Sequence, residues 1–183
     1  MKKIIKSFIL LSTFTVCGLF MASCSETEEE GRYDNWRNRN ENFIDSLSNV
    51  MDSGSDPELY AVIDEYDKAQ RIFYKKLTTK DEGDIPLFND SIVCYYYGAY
   101  INGDRFDGNF DGKEIQPNDK PTGFKLNSLV SGWIWPLQQM KVGERWMLYI
   151  PWQSGYGEKT SSGGIPGYST LIFTIQLEEV VVK

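Results

Sequence analysis

The sequence predicts an α+β protein, with a helical N-terminal arm leading into a β-rich domain that contains one short helix. Three observations support this. Apolar residues recur at helical spacing between Asp34 and Asp52; from Arg71 onward the chain turns to β-branched and aromatic runs; and one stretch starting near Gly132 interrupts those runs with a helical pattern.

In the first stretch, Trp36, Phe43, Ile44, Leu47, Val50 and Met51 share a helical face, and Asp34 or Asn35 is available as the cap. One face of that helix has to be buried. Asp56-Pro57-Glu58 then sets a capping side chain ahead of a proline at the first helical position. Leu59, Ile63 and Tyr66 follow on one side, which predicts a second, short helix. Strands are predicted over 71–77, 90–100, 144–150 and 169–182, separated by clusters of Gly, Pro, Asn and Asp. Alternation in the second of these puts Cys94 and Tyr96 on one face and Val93, Tyr95 and Tyr97 on the other, so Tyr96 can look into an interior. The internal helix starts near Gly132 and is expected to run to a stop at Gly143. Pro136 is expected within or next to its first turn, where a missing N–H is tolerated.

The first residues, MKKIIKSFILLSTFTVCGLFMASC, combine three lysines with an apolar run too short for a stable span and ending in small residues. This pattern is an export signal. Its end, Met21-Ala22-Ser23-Cys24, resembles a bacterial lipobox, which implies cleavage after Ser23 and acylation of Cys24, palmitate included. SETEEEG follows as an acidic tether. It is similar both to the surface-export signal of some Gram-negative lipoproteins and to a plain linker. The chain therefore divides into a leader (1–23), a tether (24–32), a helical arm (33–70) and the β-rich domain (71–183). The expected location is the cell envelope, most simply the outer membrane of a Gram-negative bacterium.

Loss of the leader lysines leaves 16 of the 19 basic residues against 26 acidic ones, a net charge of −10, which disfavours nucleic acid as a partner. Cys17 leaves with the leader and Cys24 carries lipid, so Cys94 stands alone and no internal disulfide can form. There is no histidine, which removes Ser-His-Asp and Cys-His nucleophile pairs, histidine metal ligands and histidine general bases.

An ordered set of short motifs remains: YYYG (95–98), NGDRFD (102–107), LVSGW (129–133), LQQMKVGERW (137–146), YIP (149–151), GYG (155–157) and IPGYSTLIF (165–173). Together they resemble the FKBP-type peptidyl-prolyl cis/trans isomerases over roughly 71–183. The resemblance implies a twisted antiparallel sheet wrapped around one short helix, with an apolar pocket between them. It assigns that pocket to Tyr96, Phe106, Asp107, Leu129, Val130, Trp133, Tyr156, Ile165 and Phe173, with Trp133 as its floor. The segment 158–164 corresponds to a flap. Trp135, Trp146 and Trp152 match no pocket position and are expected to pack structurally. Thr122 stands where relatives often carry a further aromatic two residues before Phe124, which implies a more open wall there.

Such a pocket needs no nucleophile, metal or cofactor. Rotation about X-Pro faces a barrier of about 18–20 kcal/mol set by amide resonance, and the twisted state is less polar than the planar one. The implied partners are proline-containing polypeptides, with macrolides as inhibitors. The loop Asp107-Gly108-Asn109-Phe110-Asp111-Gly112 matches the first half of a calcium loop. Its twelfth position is Asn118 in place of a bidentate glutamate, so it is read as a polar surface loop without metal. Two rival readings stay open: a proline-peptide-binding or chaperone module with little isomerase activity, kept alive by Thr122, and a scaffold lipoprotein. In the scaffold reading the amphipathic arm pairs with a second copy, as a homodimer, or with another envelope protein; that arm could equally pack on its own domain.

Overall fold

A computed structural model describes residues 31–182; the leader, the lipobox at Cys24 and most of the tether lie outside the described residues. The elements run α1 (Trp36–Ser53), β1 (Leu59–Ile63), β2 (Arg71–Thr78), β3 (Ser91–Ala99), β4 (Arg105–Gly108), β5 (Thr122–Lys125), α2 (Ser131–Leu137), β6 (Arg145–Ile150) and β7 (Leu171–Val181). The strands form one seven-stranded sheet in the order β1-β2-β6-β7-β3-β4, with β5 also pairing β3. Every pairing is antiparallel.

Period-2 alternation decides what the sheet buries. Ile72 and Tyr74 of β2, Ile92 and Cys94 of β3, Trp146, Leu148 and Ile150 of β6, and Leu171, Phe173, Ile175 and Leu177 of β7 make one buried set. Trp133 and Leu137 of α2 pack into it. Each fully buried aliphatic or aromatic side chain of this kind contributes about 1.5–3 kcal/mol. The approach of α2 depends on Gly132, because a Cβ there would collide with the Ile150 side chain.

Two sequence expectations are corrected here. The segment after Asp56 is a strand, not a second helix. Asp56 closes a local turn by accepting the Glu58 N–H at 3.0 Å, and its other oxygen takes the Lys75 ammonium at 2.5 Å. Residues 59–63 then pair residue by residue with 75–71. The capping pattern is genuine, but cross-strand pairing decides its outcome. The internal helix also ends at Leu137 and does not reach Gly143. Pro136 is its penultimate residue, past the first turn, and removes the donor that would otherwise reach the Gly132 carbonyl. Gly143 instead sits at φ 84° in the turn before β6.

Helix α1 is entered through Asn35, which is the cap residue but has a left-handed backbone and makes no capping hydrogen bond; its Oδ1 accepts from Asn38 Nδ2 at 2.7 Å. The helix stops at Gly54, φ 65°, whose N–H bonds back to Met51 O, the αL ending that glycine makes cheap. Its Trp36 belongs to the main core, and Phe43 meets Tyr149 at 6.0 Å between ring centroids. The apolar face of α1 therefore packs on its own domain.

Candidate functional site

A cavity of about 180 Å³ lies between α2 and the sheet, walled by Tyr96, Asp107, Phe124, Ser128, Leu129, Val130, Trp133, Tyr156 and Phe173. Its aromatic rings brace one another edge to face, the arrangement their quadrupoles favour. Trp133 meets Phe173 at 5.0 Å, Tyr96 at 5.6 Å and Phe124 at 5.9 Å. The indole is only 4% exposed and forms the floor. Phe106 of β4 stands edge-on to Phe173 at 5.4 Å. That packing requires Gly98 on β3, where a Cβ would lie 2.7 Å from both rings.

Of the residues expected in the pocket, Phe106 and Ile165 are the two that do not line this cavity. They wall a second, more polar hollow of about 460 Å³ together with Ser161, Ser162 and Gly163. The two hollows share Asp107 and Tyr156 as walls and so lie side by side. Phe124 and Ser128 line the main cavity without having been expected there. The signal for Phe124 was present, since it alternates onto the same face of β5 as Thr122. The wall expected to be open at Thr122 carries the Phe124 ring next to it. Thr122 is turned to other work, its Oγ1 accepting from Asn109 Nδ2 at 3.1 Å.

The polar groups at the mouth are few. Asp107 is exposed, and its Oδ1 accepts from the Tyr96 hydroxyl at 3.2 Å and the Gly108 N–H at 2.7 Å. Burial, then the charge of Asp107, pushes the Tyr96 phenol up to about 12. The Tyr156 phenol is raised by the same two causes in the same order. Both hydroxyls stay protonated at neutral pH, and that of Tyr96 donates to Asp107. The Ile165 N–H donates to Ser161 Oγ at 3.2 Å, and the Ser161 N–H donates to Ile165 O at 2.9 Å, closing the tip of the 158–164 segment on itself.

The 107–112 loop is not a loose surface excursion. Asn109 Oδ1 accepts the Tyr96 N–H at 2.8 Å while Nδ2 donates to Cys94 O, and Phe110 is 3% exposed. The oxygen in third place of the calcium-like pattern is thus committed to β3. Trp146 is fully buried and stacks on Tyr74 at 4.4 Å; Trp135 donates to Asp64 at 2.9 Å; Trp152 lies edge-on to Tyr168 at 5.1 Å. None of these three lines the cavity.

Residues 84–178 match the family model described as FKBP-type peptidyl-prolyl cis-trans isomerase, a match covering just over half of the chain. The chain belongs to the FKBP-type peptidyl-prolyl isomerase family. Similar FKBP-type relatives include a 22 kDa peptidyl-prolyl cis-trans isomerase of Escherichia coli, 35% identical over 106 residues, 58% of this chain and 48% of the relative. The isomerase Mip of Coxiella burnetii is 34% identical over 108 residues, 59% of this chain and 44% of the relative. The chain thus spans about half the length of the curated relatives it matches. Among solved structures, a peptidyl-prolyl isomerase of Pseudomonas syringae superposes with TM-score 0.59 at 27% identity, covering 78% of this chain and 96% of that one. FkpA of Escherichia coli, at 24% identity, shares the fold with TM-score 0.63, covering 80% of this chain and 62% of that one. The FKBP-like α+β architecture is the one described above. The family match does not reach α1.

Proposed function

We propose that this protein is a peptidyl-prolyl cis/trans isomerase acting on exported polypeptides, tethered to the envelope by lipid at Cys24. The observation that carries the proposal is the cavity of about 180 Å³ floored by the Trp133 indole. An apolar cavity of about 150 Å³ admits benzene, so a pyrrolidine ring has room.

The chemistry follows from the lining. Phe173, Val130, Leu129 and Trp133 hold the proline ring in a place poor in water, with Phe106 bracing Phe173 from the adjoining hollow. A less polar environment favours the twisted amide, whose charge separation is smaller than that of the planar one. Each ~1.36 kcal/mol of preferential binding to the twisted state gives a tenfold rate gain. In this reading the Tyr156 hydroxyl donates to a substrate carbonyl, while Asp107 is a polar contact and not a general base, because no proton has to move. The Ile165 N–H is available to substrate only by exchanging its Ser161 partner.

The test is a proline-limited refolding assay with the mature protein. Acceleration is expected, with competition by a macrolide that fills the same cavity. Binding of proline peptides with no acceleration would favour the chaperone reading instead. A finer expectation concerns the exchange at Ile165. Ser161→Ala removes the competing acceptor, worth about 0.5–1.5 kcal/mol net. KM for a peptide substrate is expected to fall by about two- to tenfold with kcat little changed, as steady-state kinetics would read directly.

A further inference from the structure

Helix α1 lies outside the residues matched by the family, yet its first two turns are fastened to the segment that joins Ile165 to Phe173. Trp36 Nε1 donates to Ser169 Oγ at 3.0 Å, and Ser169 Oγ donates in turn to Pro166 O at 2.7 Å, one residue from Ile165. Asn40 is 0% exposed. Its Oδ1 accepts the Thr170 N–H at 2.7 Å, its backbone carbonyl accepts from Thr170 Oγ1 at 3.3 Å, and its Nδ2 is held by Trp36 O at 2.7 Å. Between these anchors stands Tyr168, a non-glycine residue at φ 59°, with the Arg37 guanidinium 4.5 Å over its ring and its own N–H bonded to Gly157 O. A second route runs through rings: Trp36 to Tyr100 at 5.9 Å, then Tyr100 to Phe106 at 4.8 Å.

A side chain in the left-handed region persists only where its surroundings over-determine it. Here α1 supplies part of those surroundings through Arg37 and the anchors at Ser169 and Thr170, and Gly157 and Trp152 supply the rest. We propose that Trp36 and Asn40 are positioning residues of the prolyl site: through Ser169, Thr170 and Tyr168 they fix where the Ile165 amide and the Phe173 ring stand. The inference rests on the isomerase reading for its effect on catalysis and on contacts alone for its effect on the loop. The arm is then part of the working site, and a partner that pulled on it would loosen substrate binding before it unfolded the sheet.

The experiment uses the full mature chain with Asn40→Leu, which removes both amide contacts, Asn40→Asp, which keeps the acceptor for Thr170, and Arg37→Ala at an exposed side chain. Amide hydrogen exchange without substrate is read alongside KM and kcat. In Asn40→Leu, amides of 165–170 are expected to exchange about tenfold or more faster while β3 and β6 stay protected, since local opening is separable from global unfolding. KM is expected to rise about five- to tenfold with kcat within about twofold, and Asn40→Asp to recover most of both. Arg37→Ala is expected to speed exchange at Tyr168 and raise KM more modestly. A uniform rise in exchange over β3, β6 and 165–170, or an unchanged KM in folded Asn40→Leu, would overturn the proposal. Should Asn40→Leu not fold, unchanged exchange and KM in Arg37→Ala do the same. A wild-type protein that does not isomerise sinks the isomerase reading alone. Positioning is then judged by exchange and by the affinity for a proline peptide, and no change in either across the variants refutes it.

Discussion

Trp133→Ala is expected to cost about 3–5 kcal/mol of stability, the range for emptying a buried tryptophan site, and to remove acceleration of X-Pro isomerisation to below detection. The side chain is 4% exposed and is braced by Phe173, Tyr96 and Phe124, so deleting it removes the floor of the cavity and leaves three rings without a support. Because a protein that unfolds would also lose activity, Trp133→Leu is the sharper variant. Leucine keeps part of the volume and the apolar surface but offers no ring face. A folded Trp133→Leu protein is expected to lose about tenfold in kcat/KM, equivalent to ~1.4 kcal/mol of transition-state binding. Thermal unfolding and refolding kinetics on the same preparations separate the two effects. Full activity in a folded Trp133→Leu protein would mean that the cavity is not where proline sits.

The parts of this architecture that the chain announces are those whose cause is local. The runs 71–77, 90–100, 144–150 and 169–182 are rich in β-branched and aromatic residues and bounded by turn formers, and they become β2, β3, β6 and β7 with little shift at their ends. Strand β5 is only Thr122–Lys125, contains a glycine, and exists because Ser91–Cys94 offers it a partner; nothing within it demands extension. Strand β1 was misread for the converse reason: Asp56-Pro57 is a good helix start in isolation, and pairing with β2 overrides it. Seven of the nine residues that the ordered motifs single out share one cavity, because motif order carries the strand and helix positions that face it. Phe106 and Ile165 fall in the adjoining hollow, which β4 and residues 161–165 bound. Long-range polar contacts leave no periodic trace, so neither the Asn40–Thr170 pair nor the partners of Asp64 could be read in advance.

Asp64 carries the second large expected effect. It lies just past β1, 1% exposed, and its carboxylate accepts four hydrogen bonds: Ser131 Oγ at 2.5 Å, Ser154 Oγ at 2.6 Å, the Tyr66 N–H at 2.9 Å and Trp135 Nε1 at 2.9 Å. Ser131 follows Val130 directly, and Ser154 precedes Tyr156 by two, so this one side chain ties together the two segments that frame the cavity mouth. Asp64→Ala takes the acceptor from three side-chain donors, Ser154 buried and Ser131 and Trp135 half-buried, and is expected to cost about 3–4 kcal/mol, by the magnitude of charge-assisted bonds and orphaned partners. That is a fall in Tm of roughly 10 °C for a domain of this size. Asp64→Asn tests the charge alone. Burial pushes this carboxyl up, but the four donors outweigh it and leave it below the ordinary carboxylate range. Its stabilising contribution is therefore complete above the unfolded value near pH 4 and is lost as pH falls through the lower, folded value. Asp52 and Asp56 are lowered too, chiefly by hydrogen bonds from Arg71 and Lys75, so the acid limb of the wild-type stability curve has several contributors. The diagnostic is the difference between wild type and Asp64→Asn: a gap in unfolding free energy that is constant from pH 5 to 8 and closes below about pH 4. A gap that did not depend on pH would show that Asp64 acts through shape and not through its charge.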